Sequence, residues 1–264
     1  MHFFFLLVII SVVNGCPTGT VLSPSNDVCY KVVNVSKIWL DAEFDCLRSG
    51  GNLAVPRNAF ENSALVSLAN KNFDKFGNFW IGGSTFIANN GSWAWIDGSN
   101  MNYTNWAQGR PRNISVYDTI SVHNSNGMWY DISRNATLPY ICEVPVNSTS
   151  DLCQENWQYL SVTGKCYLVL TQNATWQQHR QTCLDQEADL ASIHSSQENF
   201  NLAVMALNTL GLQMNRTIVQ QDVIIGLTID SFSGNLTWCD GTPLDYYQNV
   251  TDPFASSTHA AITF

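Results

Sequence analysis

The chain has 264 residues, a formal net charge of −9 and only 12% charged residues, against 45% hydrophobic and 12% aromatic. This acidic balance excludes nucleic acid and anionic membrane surfaces as partners, because both require clustered Lys and Arg. The length and apolar content suffice for about two packed domains.

At the N-terminus, "MHFFFLLVIISVVNG" places an apolar run over Phe3–Val13, followed by Gly15 just before Cys16. A bilayer-spanning helix needs about 20 apolar residues. The run is shorter, and it predicts a secretory signal peptide over residues 1–15, with an extracellular product and no membrane insertion. In an exported chain, eight cysteines without a Cys-x-x-Cys pair point to disulfides rather than to a metal.

The cysteines also expose a repeat. Cys16, Cys29 and Cys46 recur as Cys153, Cys166 and Cys183, each 137 positions later, and Trp39 recurs as Trp176. "WIDGSNMNY" (Trp95–Tyr103) then aligns with "WCDGTPLDY" (Trp238–Tyr246) at an offset of 143. One unit is duplicated, with the first copy over 16–145, a polar linker over 146–152 and the second copy over 153–264.

Along each copy the expected elements follow in order. "CYKVV" and "CYLVL" are rich in β-branched and aromatic residues and predict strands. "SKIWLDAEFDCLR" and "ATWQQHRQTCLDQ" carry apolar residues at helical spacing. A second helix opens at "NAFE" (Asn58–Glu61) and at "SSQE" (Ser195–Glu198), each with the spacing of a capping box. Short strands follow in "FWIGG", "SWAWI", "DTISVH", "GMWYDI" and "PYICE", interrupted by a long irregular loop from about Asp97 to Val116. A loop of that length inside a compact domain is usually functional. Ten Asn-x-Ser/Thr sites, at Asn34, Asn90, Asn102, Asn113, Asn135, Asn147, Asn173, Asn215, Asn235 and Asn249, offer glycans in place of surface charge.

In order and spacing, Cys16, Cys29, Trp39, Cys46, "WIGG", "WAWIDGS", "NWAQGRP", "MWYD" and "YICE" resemble the C-type lectin-like domain. The two copies look like the tandem lectin-domain proteins that nematodes secrete. The resemblance implies an α+β fold of two helices flanking small antiparallel sheets, with a long loop that often holds calcium and sugar. It also implies bridges Cys16–Cys29, Cys46–Cys142 and Cys153–Cys166. The second copy ends at "THAAITF", which aligns with "DTISVH", so it lacks counterparts of "MWYD" and "YICE". It is therefore expected to be incomplete, with an open sheet edge and with Cys183 and Cys239 unassigned.

In sugar-binding relatives, a Glu-Pro-Asn or Gln-Pro-Asp turn and a downstream Asn-Asp hold the calcium that binds sugar hydroxyls. The turn here is Arg110-Pro111-Arg112 and the downstream pair is Tyr130-Asp131. Calcium takes six to eight oxygens, and only Asp131 among these positions offers a carboxylate. No metal and no cofactor are expected. Arg110 and Arg112 admit three readings: surface arginines paired with Asp131, a site for sulfated or sialylated glycans, or a protein-contact surface. Tyr103, Trp106 and Tyr130 are the aromatic ligand candidates, whereas Trp39, Trp80, Trp95, Trp176 and Trp238 are expected in the core.

Catalysis is not expected. The chain has no Gly-x-Ser-x-Gly elbow, no His-Glu-x-x-His helix and no histidine pair at metal-ligand spacing. The sequence therefore predicts a secreted, non-enzymatic recognition protein with a calcium-independent ligand, either a glycan or an extracellular protein. It says nothing of oligomeric state.

Overall fold

The computed structural model describes residues 15–73, 77–88, 91–112, 114–146, 153–211, 222–229, 233–246 and 259–263. The expected signal peptide up to residue 14 and most of the expected linker lie outside these residues, as do Asn90, Asn113, Asn147, Asn215 and Asn249.

The first half is α+β. Its elements are β1 (Thr20–Leu22), β2 (Val28–Lys37), α1 (Trp39–Arg48), β3 (Asn52–Leu53), α2 (Ala59–Asn72), β4 (Asn78–Ser84), β5 (Ala94–Trp95), β6 (Thr119–His123), β7 (Trp129–Ile132) and β8 (Leu138–Pro145). The sheet runs β1-β2-β8-β4-β6-β7, with β3 on β8 and β5 on β4. The chain's last strand here, β8, is therefore central, and Tyr140, Ile141 and Cys142 on it are fully buried.

Helix α1 buries Trp39, Leu40, Ala42, Glu43, Cys46 and Leu47, one face at helical spacing, with Asp41 in its first turn and Arg48 in its last to suit the helix dipole. The Trp39 indole donates to the Ile81 carbonyl at 2.9 Å, fixing the helix to β4. Cys46 and Cys142 are joined across 96 residues, tying α1 to β8. A loop of that length is worth about 4–5 kcal/mol in the chain-entropy account. Cys16–Cys29 and Cys153–Cys166 are also bridged.

The capping of α2 departs from expectation. Asn58 accepts from Phe60 N and Glu61 N, but Glu61 reaches one residue further back, accepting from Arg57 N at 2.7 Å. Ser195 and Glu198 repeat this, with Glu198 accepting from His194 N at 2.8 Å. A reciprocal capping box occurs instead at Thr175 and Gln178.

The second half contains β9 (Gln158–Leu160), β10 (Lys165–Tyr167), α3 (Trp176–Leu184), α4 (Ser196–Thr209), β11 (Asp222–Ile229), β12 (Leu236–Trp238) and β13 (His259–Thr263). Its contacts echo those of the first half. The Trp176 indole donates to the Ile225 carbonyl at 2.9 Å, as Trp39 does to Ile81. Gly226 N donates to Ala191 O as Gly82 N does to Ala54 O. A Cβ on Gly82 or Gly226 would lie 2.7 Å from a backbone carbonyl oxygen, so both close approaches demand glycine. In register, Ile262 faces Val223 as Val122 faces Phe79.

The strand expected through "CYLVL" stops at Tyr167. Strand β10 pairs only with β9, whereas its counterpart β2 is gripped by β1 and β8, so nothing on the second edge extends β10 among the described residues. "SWAWI" likewise shortens to the two residues of β5, which pair with β4 only at Gly83 and Ser84.

Part of the second half joins the core of the first, while Ile193, Ile225, Leu227 and Trp238 form a separate buried cluster. Phe200 on α4 packs against Trp39 and Phe86, with ring centroids 6.1 and 5.3 Å apart. Leu160, Val204 and Met205 join the same buried cluster.

Candidate functional site

The long loop is held to β7 before any ligand is considered. Trp129 N donates to Asn105 O at 2.8 Å, and Ala107 N donates to Trp129 O at 3.0 Å. Asn62 on α2 fixes the other side. It donates to Gly127 O at 3.0 Å and accepts from the Trp129 indole at 2.8 Å. Around Trp129 stand Trp95, Tyr103 and Trp106, at 5.4, 5.5 and 5.7 Å between ring centroids, and Trp106 also meets Trp93 at 4.9 Å. Tyr103 and Trp106 are thus part of the packing that shapes the loop, each half-buried.

Asp131 points inward from β7 and is 0% exposed. Arg110 Nη1 donates to its Oδ1 at 2.7 Å, while Arg112 donates to Oδ2 from its backbone N at 3.0 Å and from Nε at 3.3 Å. Both guanidiniums also donate to the Asp131 carbonyl, each at 3.1 Å. The peptide between Arg110 and Pro111 is cis. On the outer side, Arg110 lies over the Tyr130 ring at 5.3 Å and Arg112 over the Tyr117 ring at 3.7 Å. A ladder results, Tyr117–Arg112–Asp131–Arg110–Tyr130, and Ile114, Val116 and Met128, close to it in sequence, are exposed.

These residues do not fit calcium. The carboxylate that would serve as ligand is consumed by two guanidiniums. A divalent ion about 5 Å from a guanidinium would be repelled by several kcal/mol at an effective dielectric of about 20. Among the described residues no cluster of three or more His, Cys, Asp or Glu could hold a metal ion.

The sequence brought Arg110, Arg112, Tyr130 and Asp131 forward together, and the structure places them together. It missed Tyr117. The available signal was an aromatic residue five positions after Arg112, just past the end of the loop. The five glycosylation candidates that are described, Asn34, Asn102, Asn135, Asn173 and Asn235, are all exposed.

A second constellation lies in the second half. Asp245 Oδ1 meets His194 Nδ1 at 2.6 Å, and His194 Nε2 meets Ser192 Oγ at 3.1 Å. The order resembles a nucleophile–base–acid relay. However, Ser192 Oγ donates its proton to Asp240 at 2.7 Å and the residue is 5% exposed. The Ser192 proton is committed to Asp240 rather than to His194, and Asp245 is exposed, so the arrangement is a partly exposed hydrogen-bond network rather than an activated nucleophile.

Residues 35–144 match the family model described as the Lectin C-type domain. A snaclec of Philodryas olfersii is 34% identical over 132 residues, 48% of this chain and 78% of that protein. Lithostathine of Bos taurus is 32% identical over 138 residues, 49% of this chain and 77% of that protein. Lymphocyte antigen 75 of Homo sapiens is 26% identical over 242 residues, 87% of this chain but 13% of that protein, so the chain spans only a small part of that longer relative. No helix among the described residues is long and apolar enough to cross a membrane. With its α+β sheet, its helix-to-strand disulfide and its long loop beside these relatives, the chain belongs to the C-type lectin domain family.

Proposed function

We propose that this protein is a secreted, glycosylated, non-enzymatic recognition protein that binds a glycan through the long-loop face without calcium. The observation that carries this is the capture of both Asp131 oxygens by Arg110 and Arg112. Binding must then use the outer surface of the ladder, where Tyr117 and Tyr130 offer aromatic faces, with exposed Ile114, Val116 and Met128 close in sequence. The anionic-glycan reading is the weaker form, since Asp131 offsets one of the two guanidinium charges and occupies donors of both. Matching contacts in the second half support a duplicated lectin-like unit, as in the tandem arrangement that the sequence resembles.

The alternative is a protein-binding module without sugar affinity. Val116 is 59% exposed, Ile114 49% and Met128 41%, and apolar side chains beside arginines and tyrosines suit a protein interface.

A glycan array run with calcium and again with a chelator separates these outcomes. The proposal expects retained glycans that are the same in both conditions. Retention that vanishes with chelator overturns calcium independence, and an empty array under both conditions leaves the protein-binding module. In parallel, millimolar calcium should leave the melting temperature unchanged, because a native-state ligand at a hundredfold excess over Kd would add about 2.7 kcal/mol.

A further inference from the structure

Helix α3, the segment 188–192 and β11 together wall a cavity of about 710 Å³, within the range of about 300–1,000 Å³ that small-molecule sites occupy. Polar contacts brace these walls against one another. The Arg180 side chain donates to Asp189 at 2.9 and 3.0 Å and to the Cys239 carbonyl at 2.8 Å. The Trp176 indole holds the same helix to Ile225 O, and Gly226 N closes on Ala191 O. Walls fixed in this way resist collapse onto the gap, so its lining is left short of contacts that a ligand can supply.

Most of the lining is apolar. Leu168, Val169 and Leu170 contribute to it half-buried, with Leu202 from α4 and Ile225 from β11. His179 is the exception. It is the one buried residue of α3, 9% exposed, and it lines both this cavity and a smaller one of about 540 Å³ that shares Trp157 and Leu168–Leu170 with it. Its backbone N–H goes to Thr175 O, but no group among the described residues hydrogen-bonds its ring nitrogens. The equivalent position of α1, 137 residues earlier, is Ala42, fully buried in the core. A buried imidazole without a partner costs free energy that a polar group on a ligand recovers.

Charge narrows the choice of ligand. Asp189 and Asp240 line the cavity. Burial alone would raise their carboxyls, but hydrogen bonds from Arg180 to Asp189 and from Thr242 and Ser192 to Asp240 hold both below the usual carboxylate range. An anion would meet two ionised carboxylates. A cation would find Asp189 already paired with Arg180, and Asp240 with both oxygens taken by Ser192 and Thr242. Either ion would also lose its water against an apolar lining.

We propose that this cavity binds an uncharged, mainly apolar molecule carrying one hydroxyl, of the fatty-alcohol class, with the hydroxyl paired to His179 and the hydrocarbon against Leu168–Leu170 and Ile225. Cys183 lines the cavity one turn along α3 from His179 and carries a free thiol. Burial and the Asp189 charge push that thiol up, so it stays protonated and binding is reversible rather than covalent. The site is separate from the long-loop face, and neither reading depends on the other.

The test titrates the full chain with N-phenyl-1-naphthylamine, an uncharged apolar dye with one N–H that fluoresces on leaving water. We expect a saturable rise, and displacement by 1-decanol at concentrations at least about tenfold lower than decanoate or decylamine require. In hydrogen exchange, 1-decanol should raise protection at Leu168–Leu170 and Val223–Ile225 and leave β4 unchanged. His179→Phe keeps a ring of similar size and removes its nitrogens. It should weaken 1-decanol about fivefold, while naphthalene, which has no hydrogen-bonding group, displaces the dye as before. The exchange readout needs no variant and decides the matter if that substitution disturbs folding. A dye signal that does not saturate, equal displacement by the alcohol and the two ions, or protection gained only away from these walls would overturn the proposal. So would undiminished 1-decanol binding in a folded His179→Phe chain.

Discussion

Replacing Asp131 with Asn removes the charge that holds the long-loop turn while keeping the shape of the side chain. The carboxylate is fully buried and accepts three hydrogen bonds from Arg110 and Arg112, whose side chains are 23% and 34% exposed. Each hydrogen bond to a charged group is worth about 1.5–3 kcal/mol, and stranding one side of a buried pair is worth about 3–5 kcal/mol. Water reaches both arginines and screens part of that loss. The amide oxygen can still accept from Arg112 N. A net destabilisation of about 3 kcal/mol follows. At about 3 °C per kcal/mol for a chain of this size, the melting temperature should fall by about 9 °C. Thermal unfolding followed by tryptophan fluorescence reads this directly, because Trp106 and Trp129 stand beside the ladder. Arg110→Gln should absorb part of the effect, so that the double variant loses less than the sum of the singles. A drop under about 3 °C, or strict additivity, would mean that the ladder does not hold the loop.

Two further outcomes follow from the buried groups. Burial raises the Glu43 carboxyl to about 8, against the lowering effect of its hydrogen bonds from Leu53 N and Asn52. From about pH 4.5 to about 8 the native state therefore holds a proton that the unfolded chain has released, so stability falls as pH rises through that window; Glu43→Gln should flatten the slope in urea titrations at pH 5 and pH 8. Phe200 is 7% exposed and packs on Trp39, so Phe200→Ala should destabilise the first half by about 3 kcal/mol, read as lost hydrogen-exchange protection in α1; unchanged protection would show that the halves do not share a core.

The parts of the fold set by local pattern were legible from the chain alone. Trp39 sits in the core where the helical spacing put it, whereas Trp176, also expected there, is only half-buried and His179 is the buried residue of its helix, although both indoles donate to a strand carbonyl. The ladder was legible as far as its charges went, because two arginines stand where a metal site needs oxygens. What escaped were contacts between positions distant in sequence. Nothing local shows that Phe200 turns toward Trp39, or that Glu61 and Glu198 pass over the helix cap to the preceding N–H. Tyr117 escaped for a related reason, since stacking on Arg112 depends on a turn whose path the sequence does not fix. The truncation of β10 at Tyr167 shows the same limit from the other side. A segment with strong strand character stops being a strand where no neighbour among the described residues pairs with it.

The ladder also constrains what substitutions can restore. Changing Arg110 or Arg112 alone to an acidic residue leaves the other guanidinium beside Asp131, where it opposes a dication and competes for the same oxygens. Changing Asp131 first strands both arginines. Each single step therefore strands charge before any coordination is gained, and only replacing both arginines together frees Asp131, the carboxylate that would serve as ligand. The salt-bridged turn thus makes any acquisition of metal binding here a matter of epistasis, because substitutions at Arg110 and Arg112 are of use only together.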